Sequence, residues 1–260
     1  MRKKLFMKNN LSNPKYRIIT VEQPLSIASE AYRRIKVSLE FTNVDKHLQV
    51  IQMTSSGQGE GKTLTALNLA AAYVEDKKKV LVVDLDLRRP KIYKSFRIDN
   101  KDGVTDYLAG NITLDNAIKH SDAGIDFINR GSKAPYPTAI LGSKAMKEMF
   151  KELRTMYDYI IVDAPPMLPV SDALIISKLC DGCLFVVSEP MTEKSAAKEA
   201  VKTLKSNGVK LIGCVLTGIS RSGNRYYDSK YRYYYRNYYV SKKDQENIDE
   251  VEEQEEVVVE

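Results

Sequence analysis

A glycine-rich turn between an apolar strand and an alanine-rich helix constrains the fold of this 260-residue chain more than any other feature. The run 48–53 predicts a strand, and residues 63–74 carry alanine and leucine at helical spacing. Between them lies Ser56-Gly-Gln-Gly-Glu-Gly-Lys62-Thr63, a P-loop spacing with serine at the usual first glycine. Glycines let backbone N–H groups converge on phosphate oxygens, and the helix start adds positive potential. The turn therefore predicts a nucleotide phosphate site.

Further apolar runs follow, separated largely by helical patterns. Their spacing is typical of a mostly parallel sheet with helices on both faces. The runs are 80–83, 125–128, 159–162, 184–187 and 211–216. A pattern with helical period, from 26 to 41, stands before the first strand. The predicted fold class is α/β, a P-loop NTPase with a flexible C-terminal tail.

The sequence predicts four parts. Residues 1–24 are basic and polar and form an N-terminal arm, and 25–220 form the P-loop domain. Residues 221–240 hold a tyrosine cluster, and 241–260 form an acidic, disordered tail. Nine acidic and no basic residues occur in 244–260, so a docking element for a basic partner is the alternative to a solvated tail.

Composition argues against several classes of protein. No run approaches the roughly 18–20 apolar residues of a membrane span, which predicts a cytoplasmic protein. The net charge of +6 comes with dispersed cations and no DNA-reading motif, so no nucleic-acid partner is predicted. Cys180 and Cys183 lack a second pair or a histidine at zinc spacing, and we expect inert thiols there.

The tyrosines are concentrated near the end of the chain. Eight of the sixteen lie between residues 226 and 239, at neither helix nor strand spacing and interleaved with charge. These predicted phosphoacceptors are Tyr226, Tyr227, Tyr231, Tyr233, Tyr234, Tyr235, Tyr238 and Tyr239. Neighbouring cations and a phosphate donor site in the same chain favour self-phosphorylation. The alternative is an aromatic and arginine-rich surface that stacks on RNA or polysaccharide.

Three aspartates follow two of the predicted strands. Asp163 comes directly after a buried run and suits a carboxylate that binds Mg²⁺ directly or contacts one of its bound ligands. Strand alternation predicts that Asp84 and Asp86 point the same way. One of them can assist Mg²⁺ while the other accepts a proton from an attacking hydroxyl. Alternatively, both cap a loop or pair with Arg88.

Taken in order, these motifs resemble those of a known family. Segments 55–63, 84–88 and 163–166 read Ser-Ser-Gly-Gln-Gly-Glu-Gly-Lys-Thr, Asp-Leu-Asp-Leu-Arg and Asp-Ala-Pro-Pro, and the tyrosine cluster follows them. Over about residues 20–240 the chain resembles the bacterial protein-tyrosine kinases of capsule and exopolysaccharide synthesis. The resemblance implies an ATP- and Mg²⁺-dependent cytoplasmic kinase, recruited to the inner face of the cell membrane by a membrane-spanning activator. It also implies protein substrates in polysaccharide synthesis.

The resemblance further implies roles for individual residues. The ATP-binding residues are Gly57, Gln58, Gly59, Glu60, Gly61, Lys62 and Thr63. The catalytic residues are Lys62, Asp84 and Asp86, with Asp84 the better candidate for activating tyrosine. Thr63, Asp86 and Asp163 support the metal.

A helical motif near the N-terminus predicts self-association. Glu30, Arg33 and Lys36 match the family's Glu-x-x-Arg-x-x-Arg pattern, with lysine in the last position. The resemblance implies that this motif packs subunits into a ring or other homo-oligomer. The three side chains share one helical face, so salt bridges between subunits are feasible; a solvated surface is the alternative. A neighbour's tail would then reach the active site, which predicts autophosphorylation in trans.

Two other functions stay open. A dimeric regulatory P-loop ATPase of the partition or septum-placement type would release phosphate without modifying tyrosine. Gly57 stands where those proteins carry a signature lysine, which weakens that interpretation. A component that binds nucleotide only for structure would consume no ATP.

Overall fold

The computed structural model describes residues 17–42 and 48–219. The strands are Val50–Ser55 (β1), Val80–Asp84 (β2), Lys119–His120 (β3), Asp126–Ile128 (β4), Tyr159–Asp163 (β5), Gly182–Ser188 (β6) and Leu211–Thr217 (β7). The helices are Ile19–Glu22 (α1), Ile27–Thr42 (α2), Lys62–Glu75 (α3), Ile92–Ser95 (α4), Val104–Leu108 (α5), Leu114–Ala117 (α6), Pro137–Leu141 (α7), Lys144–Met156 (α8), Asp172–Ser177 (α9) and Lys194–Ser206 (α10). Within these described ranges, no helix has the length and apolar character needed to cross a membrane. The predicted tyrosine cluster and acidic tail lie outside the described residues.

The strands form one seven-stranded sheet in the order β3-β4-β2-β5-β1-β6-β7. All neighbouring pairs are parallel except β3 with β4, so the predicted mostly parallel α/β fold is confirmed. The predicted strands and the helix before them appear within two residues of their expected ends. The two-residue β3 and the short helices between β2 and β5 were not predicted, because such lengths show too little periodicity.

Helices cover both faces of the sheet. Every residue of β1, β2 and β5 is buried, which explains why these strands read as continuous apolar runs. Ile51 and Leu67 belong to the core on the α3 side, whereas Val50 and Phe150 belong to the core on the α8 side. Adjacent β1 residues thus pack on opposite faces, and β1, β2 and β5 lie side by side with their carboxyl ends at one edge.

Part of the predicted N-terminal arm packs onto α3. Ile18 and Thr20 are buried, and the Thr20 N–H and hydroxyl both donate to Asn68 Oδ1, at 2.9 and 3.0 Å. The first compact unit of the chain ends at Gly218. The four-part division of the chain stays a prediction.

Candidate active site

The loop after β1 leads directly into the first turn of α3. Gly59 and Gly61 have φ values of +80° and +91°, a backbone region that glycine enters without steric cost. Lys62 is the first residue of α3, and its Nζ donates to Ser55 Oγ at 2.9 Å and to the Gly57 carbonyl at 3.0 Å. The lysine therefore lies back across the loop, where an ammonium group can reach bound phosphates.

Two buried carboxylates lie at the carboxyl ends of adjacent strands. Pairing of β2 with β5 places Asp84 beside Asp163, and both side chains are almost completely buried. Thr63 Oγ1 donates to Asp163 Oδ2 at 2.6 Å. Asp84 Oδ1 and Asp163 Oδ1 are buried without a hydrogen-bond partner. Two unpartnered carboxylate oxygens near a threonine hydroxyl fit Mg²⁺ and its bound waters.

The donor set suits magnesium better than a metal held by protein alone. Among the described residues, no three His, Cys, Asp or Glu side chains converge to hold a metal ion. Mg²⁺ is commonly held by one or two carboxylates together with waters and substrate phosphates. Thr63 and Asp163 are the groups placed for this, with Asp86 as the further predicted ligand.

The two aspartates of the Asp-Leu-Asp segment have different surroundings. Asp84 Oδ2 accepts the N–H groups of Lys91 and Ile92, at 2.9 and 3.1 Å. Asp86 is half-buried, and its Oδ1 accepts the Arg89 N–H at 2.9 Å. Because β2 ends at Asp84, strand alternation does not set the direction of Asp86. Both carboxylates therefore cap backbone, as one alternative held, while Asp84 keeps its second oxygen unpartnered.

Burial dominates the titration of this site. Loss of hydration raises the pKa of Asp84, and the neighbouring Asp163 adds to that rise. Burial likewise raises the pKa of Asp163 to about 6, although the Thr63 hydroxyl and the Lys62 charge limit the increase. Burial lowers the pKa of Lys62, partly offset by Asp163. A carboxylate with a raised pKa is better matched to accepting a proton near neutral pH.

The raised carboxyl pKa values predict a pH-dependent stability. A group that binds protons more tightly when folded weakens the fold as pH rises from its ordinary pKa to its raised one. For Asp163 this window runs from 3.8 to about 6, and the pKa of Asp84 is raised in the same direction. We expect Asp84→Asn, which keeps an oxygen for Lys91 and Ile92, to raise the melting temperature of the nucleotide-free protein above pH 7 by about 3 °C or more. The gain should shrink toward pH 4, where the Asp84 carboxyl of the folded wild type is protonated and is no longer a buried charge.

A melting series across pH tests this, with Asp99→Asn as the control at an exposed aspartate. A gain of equal size at every pH, or a loss above pH 7, contradicts the electrostatic cause. If Asp84 accepts the proton of tyrosine, the same variant should transfer phosphate poorly, because an amide cannot take up a proton.

Sequence reasoning missed the buried group that anchors the Asp-Leu-Asp-Leu-Arg segment. Asp172 has no exposed surface and accepts Arg88 Nε at 2.7 Å and Nη2 at 3.2 Å. The Thr138 hydroxyl also donates to Asp172, at 3.0 Å. An acidic residue that opens a short helix is too common a signal to have indicated this role. These contacts hold the segment after β2 against α7 and α9.

The predicted association motif makes contacts within the chain. Arg33 donates to both Glu75 oxygens, at 2.7 and 2.8 Å, and lies 3.4 Å from Glu30. Lys36 is buried and pairs with Asp76. The motif therefore joins α2 to the end of α3, and a role between subunits stays a prediction.

Comparison with known proteins identifies the family. Residues 48–188 match the model of an AAA domain. The tyrosine-protein kinase YwqD of Bacillus subtilis is 38% identical over 231 residues, covering 87% of this chain and 94% of that protein. The chain belongs to the bacterial tyrosine-protein kinases. The predicted family, its protein-tyrosine kinase class and its P-loop fold are thus confirmed.

Sequence and structural similarity to other bacterial tyrosine-protein kinases supports this assignment. A putative tyrosine-protein kinase in the cps region of Klebsiella pneumoniae is 33% identical, but the match covers 85% of this chain and 30% of that protein. The solved kinase domain of Escherichia coli ETK superposes with a TM-score of 0.77 at 29% identity, covering 85% of this chain and 90% of that one.

The septum-placement ATPases are more distant from this kinase. MinD of Pyrococcus horikoshii, solved with Mg-ADP, has a TM-score of 0.57 and 25% identity, covering 67% of this chain and 72% of that one. A related P-loop protein therefore binds nucleotide and magnesium on this fold. The higher similarity to kinase domains favours tyrosine kinase over regulatory ATPase.

Proposed function

We propose that the chain binds ATP and Mg²⁺ at residues 57–63 and transfers the γ-phosphoryl group to tyrosine. The observation that carries this proposal is the grouping of Lys62 and Thr63 at the loop with Asp84 and Asp163 at the adjoining strand ends. A cation, a metal-ligating hydroxyl and two buried carboxylates are the groups that phosphoryl transfer requires.

The catalytic roles follow from the position of each group. Lys62 supports the β- and γ-phosphates and offsets charge that develops on the transferring group. Thr63 and Asp163 hold the metal, with Asp86 as a further ligand. When bound there, Mg²⁺ would neutralise part of the phosphate charge. Catalysis is therefore mostly positioning and electrostatic stabilisation.

Asp84 is the proposed base. A tyrosine Oη forms a bond to the γ-phosphorus as the bond from that phosphorus to the β–γ bridging oxygen breaks, and ADP leaves. The tyrosine proton passes to the Asp84 carboxylate. Burial raises the pKa of Asp84, and its unpartnered Oδ1 can receive the proton.

The proposed acceptors are the eight tyrosines between residues 226 and 239, phosphorylated by a neighbouring chain. Self-association through α2 supports this proposal. Val37 and Phe41 are 42% and 75% exposed on that helix, next to the motif that contains Glu30, Arg33 and Lys36. Exposed apolar side chains beside charged groups are typical of a protein interface.

The proposed cellular location and partners of the chain follow from its family. A membrane-spanning activator recruits this cytoplasmic chain to the inner face of the membrane, and its protein substrates act in capsule or exopolysaccharide synthesis. No nucleic acid takes part. These proposals rest on the motif resemblance and on relatives such as the kinase named for a cps region.

Mixing two complementary full-length variants tests the transfer in trans. A Lys62→Met chain keeps its tyrosines but lacks the catalytic cation, and a chain with all eight cluster tyrosines changed to phenylalanine keeps the site but lacks acceptors. We expect phosphotyrosine on the Lys62→Met chain only when both are incubated with ATP and Mg²⁺. Steady phosphate release by the wild type without phosphotyrosine would instead indicate a regulatory ATPase. An activator segment is included in a parallel series.

A further inference from the structure

Glu60 lies inside the phosphate loop and has only 3% of its surface exposed. Its Oε1 accepts the Ser56 hydroxyl at 2.7 Å, and its Oε2 accepts the Gly57 N–H at 2.9 Å. Oε1 also accepts the Thr192 hydroxyl at 2.6 Å, across 132 positions of sequence. A single carboxylate therefore connects two parts of the loop with a distant segment.

The carboxylate is held in its charged form. Burial alone would raise the pKa of Glu60, but hydrogen bonds from Thr192, Gly57 and Ser56 outweigh it and lower the pKa. A buried anion of this kind depends on its donors, because losing one leaves a desolvated charge less well satisfied.

The segment that Glu60 reaches is the turn after β6. Thr192 belongs to that turn, and its hydroxyl oxygen also accepts the Ser188 N–H at 2.8 Å. Met191 lies over the loop so closely that a Cβ at Gly59 would come within 2.9 Å of its terminal methyl group. The turn 189–192 and the phosphate loop therefore form one contacting unit.

The main chain of Glu60 is anchored as well. The Thr217 hydroxyl, at the end of β7, donates to the Glu60 carbonyl at 2.9 Å. A Cβ at the next residue, Gly61, would lie 3.2 Å from that hydroxyl oxygen. The ends of β6 and β7 thus hold Glu60 from both its side chain and its backbone.

We propose that Glu60 is a positioning residue that fixes the phosphate loop against the turn 189–192 through Thr192. The loop is thereby preorganised for phosphate, and nucleotide affinity depends on a hydrogen bond that does not touch the nucleotide. Preorganisation raises affinity because the ordering cost is met before the ligand binds. The inference rests on the proposed binding of nucleotide at this loop and names a residue outside the predicted site, Thr192.

A double-mutant cycle tests the coupling. The variants are Glu60→Ala, Thr192→Val and the two combined, with Thr192→Ser as the conservative replacement and Thr155→Val as an exposed control. The affinity for a fluorescent ADP analogue with Mg²⁺ is measured by titration, and the melting temperature without nucleotide is measured in parallel.

We expect each single variant to weaken ADP binding about tenfold. The free energy of one hydrogen bond to a charged group corresponds to a tenfold or larger change in the binding constant. The double variant should bind ADP no more weakly than the weaker-binding single variant, because both substitutions break the same Glu60–Thr192 hydrogen bond. Thr192→Ser and Thr155→Val should bind like the wild type. Loss of a donor to the buried charge should lower the nucleotide-free melting temperature, but every variant should remain folded at the temperature of the titration.

Other results overturn the inference. Additive losses would show that Glu60 and Thr192 act separately, and unchanged affinity in either single variant would show that the link does not position the loop. A fall in melting temperature with affinity retained would assign a structural role. Failure of the wild type itself to bind ADP would reject the proposed nucleotide site. If the wild type binds ADP but the two substitutions act independently, only the positioning role of the Glu60–Thr192 hydrogen bond is rejected.

Discussion

Replacing Lys62 with methionine should reduce phosphate transfer to tyrosine about 100- to 1,000-fold, the usual loss when one preorganised charge donor is removed. Methionine keeps an unbranched apolar stem but lacks the ammonium that lies across the loop against Ser55 and Gly57. Because burial already lowers the pKa of Lys62, removing this charge should cost the fold little. Phosphotyrosine formation with ATP and Mg²⁺ measures the effect.

The matched control is Lys78→Met, at an exposed lysine in the turn after α3. It should retain the wild-type rate, and both variants should melt close to the wild-type temperature. Phosphotyrosine at the wild-type level in a clean preparation of the Lys62→Met protein would overturn the assignment of the catalytic cation.

Changing all eight cluster tyrosines to phenylalanine should remove nearly all phosphate from the chain. The cluster holds half of the tyrosines, and we propose that these hydroxyls are the acceptors. The proposed catalytic groups lie at the start of α3 and at the ends of β2 and β5, so the variant should still bind ATP and phosphorylate a second chain. Intact mass and phosphotyrosine content are the readouts.

Tyr136→Phe is the matched control, since this tyrosine is 75% exposed but lies outside the cluster. It should leave phosphate incorporation unchanged. A variant without the eight tyrosines that incorporates as much phosphate as the wild type would place the acceptors elsewhere. Each phosphate adds about −1.5 to −2 charges, so several would change the segment from basic to anionic.

The sequence predicted the parts of the fold that depend on local pattern. β1, β2 and β5 are buried along their whole length, so each appeared as an apolar run, and the carboxyl ends of parallel strands meet at one edge. Asp84 and Asp163 could therefore both be predicted as site residues from the sequence. Membership in the bacterial tyrosine-protein kinases followed from the order of the same motifs.

The remaining features depend on contacts that no local pattern contains. Whether Asp86 follows the direction of Asp84 depends on where β2 ends. The burial of Asp172 beneath Arg88 joins segments 84 positions apart, and the Glu60–Thr192 bond joins segments 132 apart. Arg33 and Lys36 carried a sequence motif, but their partners at the end of α3 did not belong to it.

Intact mass spectrometry of the wild-type protein shows whether this chain phosphorylates its own tyrosine cluster. The protein is incubated with ATP and Mg²⁺, with and without an activator segment, and half of each sample is then treated with a tyrosine phosphatase. We expect a ladder of added phosphate masses that the phosphatase erases. No ladder under either condition, together with steady release of free phosphate, would contradict self-phosphorylation.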